Sequence, residues 1–260
     1  MLLLLLGCAT GPGAGFGEIA TAELSAAFAP GEARDLGGGE VLTQDGYAVR
    51  VDRFVLTFDD LALLALSGGA SGEAFDPADP PEGYTLCHNG ECHREDGAIV
   101  PYAEVEAELA GGEATLAPVV TLPVDADADL LTGATFPLDT SAAALLPAAN
   151  LSSLQLGVTH LVLEGAVRRQ PDDGWTAPLG LDLAVDAALS APLVLPLDRD
   201  HDPVLALDVA VAPDGSLFDG IDFAALVEET AAEPDHDHLG EALTAALLAV
   251  EPVVTVERSR

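Results

Sequence analysis

Apolar and polar residues alternate along much of the chain, a pattern that predicts β-strands with one buried face and one wet face. The clearest alternation lies at 204–211, where apolar residues at odd positions oppose Asp208. Side chains on one face of a strand recur with a period of two. The same reasoning predicts a strand at 204–211 and others at 115–124, 155–167, 179–189 and 253–256.

The segment 47–66 carries the same alternation with a change of phase. Apolar residues occupy odd positions up to Val51 and even positions from Phe54 onward. A phase slip at Asp52-Arg53 indicates one long strand that contains a β-bulge. Asp59 and Asp60 then interrupt the apolar pattern, so 61–66 is predicted to be a separate strand.

Helical spacing is confined to a few short segments. A helix is predicted from Pro101 to Ala110, since proline suits the first helical turn and Gly111 follows as a terminator. Two more are predicted at 221–231 and 239–249. The predicted fold is mainly β, an antiparallel β-sandwich or a barrel-like fold with a few short helices.

The length and composition of the chain predict one globular domain. Hydrophobic residues make up 49% of the 260 and charged residues 20%, which is typical of a globular chain. The folded domain is predicted to span 41–260. Residues 9–40 begin with a run of glycine, alanine and proline and are predicted to form a flexible tether.

The charge balance excludes whole classes of partner. The chain has 44 Asp and Glu residues against nine basic residues, all of them Arg, which gives a net charge of -35. Binding to a nucleic-acid backbone or docking on an anionic lipid surface requires a basic face. We therefore expect no nucleic-acid partner. An acidic chain without Lys also suits a salty medium, where screening weakens the repulsion among carboxylates.

The first eight residues resemble a targeting signal. Leu2 to Leu6 form an apolar run, and Leu5-Leu6-Gly7-Cys8 resembles the lipobox of bacterial lipoproteins. The resemblance implies that 1–8 is the remnant of a signal peptide and that Cys8 is acylated. It also implies that a lipid anchor holds the protein to a bacterial membrane, in the periplasm or at the cell surface.

Such a location changes the interpretation of the other two cysteines. Outside the cytoplasm disulfides persist, and with Cys8 acylated exactly two thiols remain, Cys87 and Cys92. They flank an Asn-Gly turn signal. We expect a disulfide that closes a short loop.

The same segment predicts a metal site. His88 and His93 lie beside the two cysteines, and His236 and His238 form the only other histidine cluster. Imidazole and thiolate are ligands that suit copper and zinc. If the thiols are oxidised, the four histidines are the predicted ligands. His236 and His238 share one ion more easily if their segment is extended than if it is helical.

The two remaining histidines differ in their surroundings. His201 lies between Asp200 and Asp202 and is a further candidate ligand, whereas His160 lies in an apolar strand and is predicted to be a core residue.

Two alternatives to the metal hypothesis remain open. In the first, Cys87-Cys92 is only a brace in a structural or interaction lipoprotein whose protein partner is unknown. In the second, Cys87-x4-Cys92-His93 resembles the wider-spaced haem attachment motif of some multihaem c-type cytochromes, which implies thioether links and a haem iron ligated by His93.

No catalytic motif supports an enzyme. The chain has no G-x-S-x-G, phosphate-loop or H-E-x-x-H sequence, and the acidic run from Asp125 to Asp129 lacks the glycine and glutamate of an EF-hand loop. We therefore expect a non-enzymatic, membrane-anchored binding protein whose ligand is a copper or zinc ion.

Overall fold

The computed structural model describes residues 15–67, 76–88, 90–109, 115–171, 174–175, 177–228 and 236–260. The fold is mainly β with several antiparallel sheets, as predicted. The strands in these residues are β1 (Glu18–Ala26), β2 (Asp35–Gly37), β3 (Glu40–Leu42), β4 (Tyr47–Ser67), β5 (Tyr84–His88), β6 (Glu91–Arg94), β7 (Ile99–Pro101), β8 (Thr115–Asp129), β9 (Ala134–Pro137), β10 (Ala149–Arg169), β11 (Ala177–Leu197), β12 (Val204–Val211) and β13 (Val253–Ser259). The α-helices are α1 (Tyr102–Leu109), α2 (Phe223–Glu228) and α3 (His236–Leu248).

The largest sheet is built on three strands of 21 residues each, β4, β10 and β11. Its strand order is β11-β10-β4-β3-β2, and β8 also pairs with β4. β3 pairs with residues 48–50 of β4, whereas β8 pairs with residues 55–67. The two halves of β4 therefore have different neighbours on that side.

The bulge predicted near Asp52 separates these two halves. On β10, Glu164 pairs with Arg53 and the next residue, Gly165, pairs with Val51. Asp52 is thus the extra residue, and the apolar positions change parity there as the sequence predicts.

The predicted break at Asp59-Asp60 is wrong. β4 continues through both residues, and the pairing with β10 and β8 shifts register beside them instead. Phe58 and Leu61 on either side are fully buried, whereas Asp59 is exposed. The two carboxylates are accommodated because the irregular pairing keeps the flanking apolar side chains on the core face.

The second sheet has the order β13-β12-β1-β9. It includes a strand from the segment that was predicted to be a flexible tether, so that prediction is wrong for this strand. β1 lies within 9–40, yet it pairs along its length with β12 and also with β9. Ile19 and Leu24 are buried in the core. Small residues separate these apolar positions, so the alternation is weak in the sequence, and the strand is stabilised by partners far along the chain. The β1–β12 pair is parallel, unlike the other pairs.

The two sheets share one hydrophobic core, so the architecture is sandwich-like. Buried side chains from the long strands and from β1 and β12 belong to a single cluster, together with Leu239, Leu243 and Leu247 of α3. These three helical positions recur every four residues on one face, as their spacing predicts.

The connection from β4 to β8 carries a separate small unit. It consists of the antiparallel sheet β5-β6-β7 followed by α1. Its own buried cluster contains Cys87, Cys92, Val100, Tyr102 and Val105.

Observed boundaries otherwise extend the predicted ones. β8 continues to Asp129, so the acidic run at 125–129 is part of a strand and not a loop. β12 matches its predicted range of 204–211. α1 begins one residue after its predicted start, α2 begins two residues after its predicted start, and α3 begins three residues before its predicted start.

Candidate functional site

The predicted disulfide lies at the centre of the small sheet. Cys87 and Cys92 are directly opposite on β5 and β6, with their Cα atoms 4.0 Å apart and their sulfur atoms bonded at 2.02 Å. Gly90 in the turn has a φ of 84°, the left-handed conformation that glycine adopts at little cost. Both cysteines face the small core, which covers the disulfide on one side of the sheet.

The other face of this sheet carries the two histidines. Alternation along the strands places them opposite to the disulfide. His93 lies in a cross-strand row between Leu86 and Ile99, and the neighbouring row contains His88 and Glu91. Leu86 is 52% exposed and Ile99 is 57% exposed. The outer face thus combines two imidazoles with exposed apolar side chains.

His88 and His93 contact each other diagonally across the hairpin. Their Nε2 atoms are 3.0 Å apart, and the two rings are stacked with centroids 5.0 Å apart. Both side chains are half-buried. Two first-row metal bonds of about 2.0–2.1 Å, made at an angle between about 90° and 109°, place their nitrogen atoms roughly 2.8–3.4 Å apart. The observed separation therefore suits two adjacent positions around one ion.

Polar contacts hold the small sheet against α1. The hydroxyl of Tyr84 donates to Glu108 at 2.7 Å, and Arg94 donates to that hydroxyl at 3.0 Å and to Glu108. The hydrogen bond from Tyr84 is the main cause that lowers the pKa of Glu108. The ionised carboxylate thus links the last turn of the helix to two strands.

A buried carboxylate links this unit to the main body of the protein. Asp198, in the loop after β11, is only 5% exposed. It accepts hydrogen bonds from the backbone of Asp200 at 2.9 Å and from Tyr102 of α1 at 3.4 Å, and His201 Nδ1 lies 2.7 Å from it. Burial raises the pKa of the Tyr102 phenol, so it stays protonated and donates.

A cavity of about 510 Å³ lies between the hairpin and this loop. Its walls contain Thr85 to His88 on one side and Asp198 to Asp200 on the other. Phe16, which precedes β1, also lines it. Neither Asp198 nor Phe16 stands out in the sequence, because the loop resembles many other acidic segments and Phe16 falls in the predicted tether.

The structure does not join the two histidine clusters. His238 lines a different cavity, beside Asp222 and Leu226, and its Nδ1 lies 4.0 Å from Glu241. The backbone is helical from His236 onward, which is the arrangement that disfavours a shared ion, and the side chain of His236 lies outside the described part. In the described part of the chain, no three metal-ligating side chains come together.

The remaining two histidines both lie near carboxylates. His160 is not a core residue as predicted: its side chain is 40% exposed and its Nε2 lies 2.7 Å from Asp182. A register shift between Val158 and His160 turns the ring to the outer face of the sheet. His201 is positioned by Asp198 through its Nδ1.

The haem alternative needs the two sulfur atoms that the disulfide uses. A thioether to Cys87 or Cys92 forms only from a free thiol, so this form of the protein offers no attachment point. Cys8 and the rest of the lipobox lie outside the described residues. Within the described ranges, no helix has the length and apolar character to span a bilayer.

The fold and the site define a sandwich-like β-protein with a disulfide-closed hairpin that bears a histidine pair. Comparison with known proteins adds no relative: no family model, no curated protein and no solved structure matches the chain.

Proposed function

We propose that the protein is a membrane-anchored, extracytoplasmic binding protein that holds a copper or zinc ion on the His88–His93 pair. The observation that carries the proposal is the separation of 3.0 Å between the two Nε2 atoms on a hairpin closed by a disulfide. A rigid pair avoids part of the entropy that two free side chains lose when they bind one ion. The proposal assigns no catalytic step to the protein.

The oxidised cysteines favour nitrogen chemistry at this site. A disulfide sulfur is not a thiolate, so the ligands from this segment are the two imidazoles. Such a donor set suits Cu²⁺ or Zn²⁺. The net charge of -35 also attracts cations toward the protein surface.

The metal proposal is tested by calorimetric titration of Cu²⁺ into the full chain at neutral pH. We expect one ion per chain with a micromolar dissociation constant, and a loss of at least tenfold in affinity in the His88→Ala, His93→Ala variant. His160→Ala is the matched control, because it removes an imidazole that lies on another sheet. His236→Ala, His238→Ala should also leave the affinity unchanged.

The pH dependence follows from the ligand chemistry. A protonated imidazole has no lone pair for a metal, so Cu²⁺ affinity should fall as the pH drops below about 6. Equal affinity in the wild type and the His88→Ala, His93→Ala variant would remove the pair from any metal site.

The anchor is tested separately. Cys8→Ala should release the protein from membranes and abolish incorporation of labelled fatty acid, because acylation of that cysteine is the proposed attachment. Cys92→Ala is the control for loss of a cysteine, and it should stay with the membrane fraction. Labelled fatty acid in the Cys8→Ala variant would contradict the proposal.

A second candidate function is an interaction lipoprotein in which the disulfide only braces the hairpin. The exposed Leu86 and Ile99, which flank His93 in one row, favour it. Their apolar area is available to a partner, whereas the metal proposal needs only the imidazoles. Absence of copper and zinc binding in the wild type would favour this candidate.

A further inference from the structure

The histidine pair supplies too few donors for a complete metal site. Cu²⁺ and Zn²⁺ bind four or more ligands in proteins. His88 and His93 provide two nitrogen atoms, and no third metal-ligating side chain joins them among the residues that the structure describes. Among the described residues, the pair therefore leaves further positions on the ion for water or for a second molecule.

The cavity beside the pair is large enough for such a molecule. His88 belongs both to the pair and to the wall of the cavity of about 510 Å³. Volumes of this order are typical of sites for small organic ligands, whereas a water molecule occupies about 30 Å³. The cavity thus has room for a small organic molecule beside the histidine pair.

The walls indicate the chemistry of the occupant. Phe16, Pro77, Pro80 and Leu86 contribute apolar surface. Such surface binds the hydrocarbon part of a ligand and gains little from a hydrated ion. An aromatic or aliphatic group therefore suits the apolar part of the cavity wall.

The charged groups that also line the cavity suit a metal complex better than a free anion. The guanidinium of Arg199 lies 5.9 Å from the centre of the Phe16 ring, and no carboxylate pairs with it in the described part of the chain. It is available to a ligand carboxylate. Asp198 and Asp200 border the same cavity and repel a bare anion, but a divalent ion with a dianionic chelator carries no net charge.

We propose that the site takes the metal as a complex with a small organic chelator that bears carboxylates. His88 and His93 occupy two positions on the ion, the chelator supplies the others, and its apolar body fills the cavity beside His88. This inference rests on the proposed function, because it requires the histidine pair to bind a metal.

The test compares two copper complexes that differ in one apolar group. Cu²⁺–iminodiacetate and Cu²⁺–N-benzyliminodiacetate are titrated calorimetrically into the full chain. We expect the benzyl complex to bind the wild type at least tenfold more tightly. Ala78→Trp fills the cavity from an exposed wall position and should erase this preference. Ala188→Trp, at an exposed position of β11, is the matched control and should retain it.

A second variant does not depend on filling the cavity. Arg199→Ala should weaken binding of both chelate complexes at least threefold and leave binding of bare Cu²⁺ unchanged. Equal affinity of the wild type for the two complexes would overturn the inference. Binding of bare Cu²⁺ without binding of either complex would also overturn it, and both results would leave the histidine pair as a metal site. Failure of the wild type to bind copper or zinc in any form would overturn the proposed function itself.

Discussion

The carboxylate of Asp219 ties together three segments of the main body. Arg34 donates to its two oxygens at 2.6 and 2.7 Å, and the backbone of Gln44 donates at 2.9 Å. The hydrogen bond from Arg34 is the main cause that lowers the pKa of Asp219 below its ordinary range. This bidentate pair is partly shielded from water, which strengthens it relative to an exposed pair.

We expect Asp219→Asn to lower the free energy of unfolding by about 1 kcal/mol at pH 7, measured by urea denaturation. Since the folded-state pKa is lowered, the stabilisation is fully present above the unfolded-state pKa of about 3.9 and is lost as the pH falls through the folded-state pKa. The wild type should therefore approach the variant in stability below about pH 4. Asp45→Asn, at an exposed position of the neighbouring turn, should show neither effect. A constant difference between wild type and Asp219→Asn down to pH 2 would contradict the assignment.

Residue-level chemistry was predictable where it depends on neighbours in sequence. Cys87 and Cys92 lie five residues apart around a turn signal, so their disulfide follows from local geometry. The orientation of His160 does not, because it depends on a register shift against two neighbouring strands. The contact between Tyr102 and Asp198 joins residues 96 positions apart, so no local sequence pattern predicts it.

At the scale of elements, Gly165 explains how β10 passes the bulge of β4. A Cβ atom built on Gly165 would lie 1.9 Å from the carbonyl oxygen of Arg50. The backbones of the two strands thus approach more closely than any other residue type allows. Gly180, on the adjacent β11, has open space around the same position.

Gly165→Ala should therefore destabilise the protein by at least about 2 kcal/mol, because the long strands must move apart to admit a methyl group. The matched control is Gly180→Ala, which should be neutral or slightly stabilising, since it reduces the freedom of the unfolded chain. Denaturation midpoints of the two variants provide the measurement. Similar midpoints for both variants would show that the close approach at Gly165 is not required.

Some elements depend on interactions within one segment and were predictable, whereas others depend on strands far along the chain and were not. The bulge at Asp52 was predictable, since apolar residues change parity there within a single strand. Asp59-Asp60 has the local appearance of a break, and only pairing with both β8 and β10 carries the strand through it. β1 was missed because its buried residues are separated by small ones, and its main partner β12 lies more than 170 residues away.

At the scale of the whole molecule, the surplus of carboxylates dominates the electrostatics. Six of the nine arginines form ion pairs with Asp or Glu in the described residues: Arg34, Arg50, Arg53, Arg94, Arg168 and Arg260. With 44 acidic residues in the chain, most carboxylates have no basic partner. Their mutual repulsion favours expansion of the chain and opposes folding.

Added salt should therefore stabilise the protein. Between 0.1 and 1 M NaCl the screening length falls from about 10 to about 3 Å, which removes most of the repulsion between surface charges. We expect the Tm to rise by several degrees over this range, as measured by circular dichroism. The same rise in KCl would separate screening from binding of a particular cation. A Tm that stays constant or falls in both salts would contradict this account.

The parallel pairing of β1 with β12 has a consequence for the order in which the chain assembles. A chain made from its N-terminus releases β1 long before β12, and the hydrogen bond from Ser25 to Val209 closes a separation of 184 residues. Closing so long a loop early costs entropy that few contacts would offset, so we expect β1 to dock after the strands between them have paired. In the proposed lipoprotein, β1 is also the strand nearest to the acylated cysteine. Docking of β1 would then draw the domain toward the membrane.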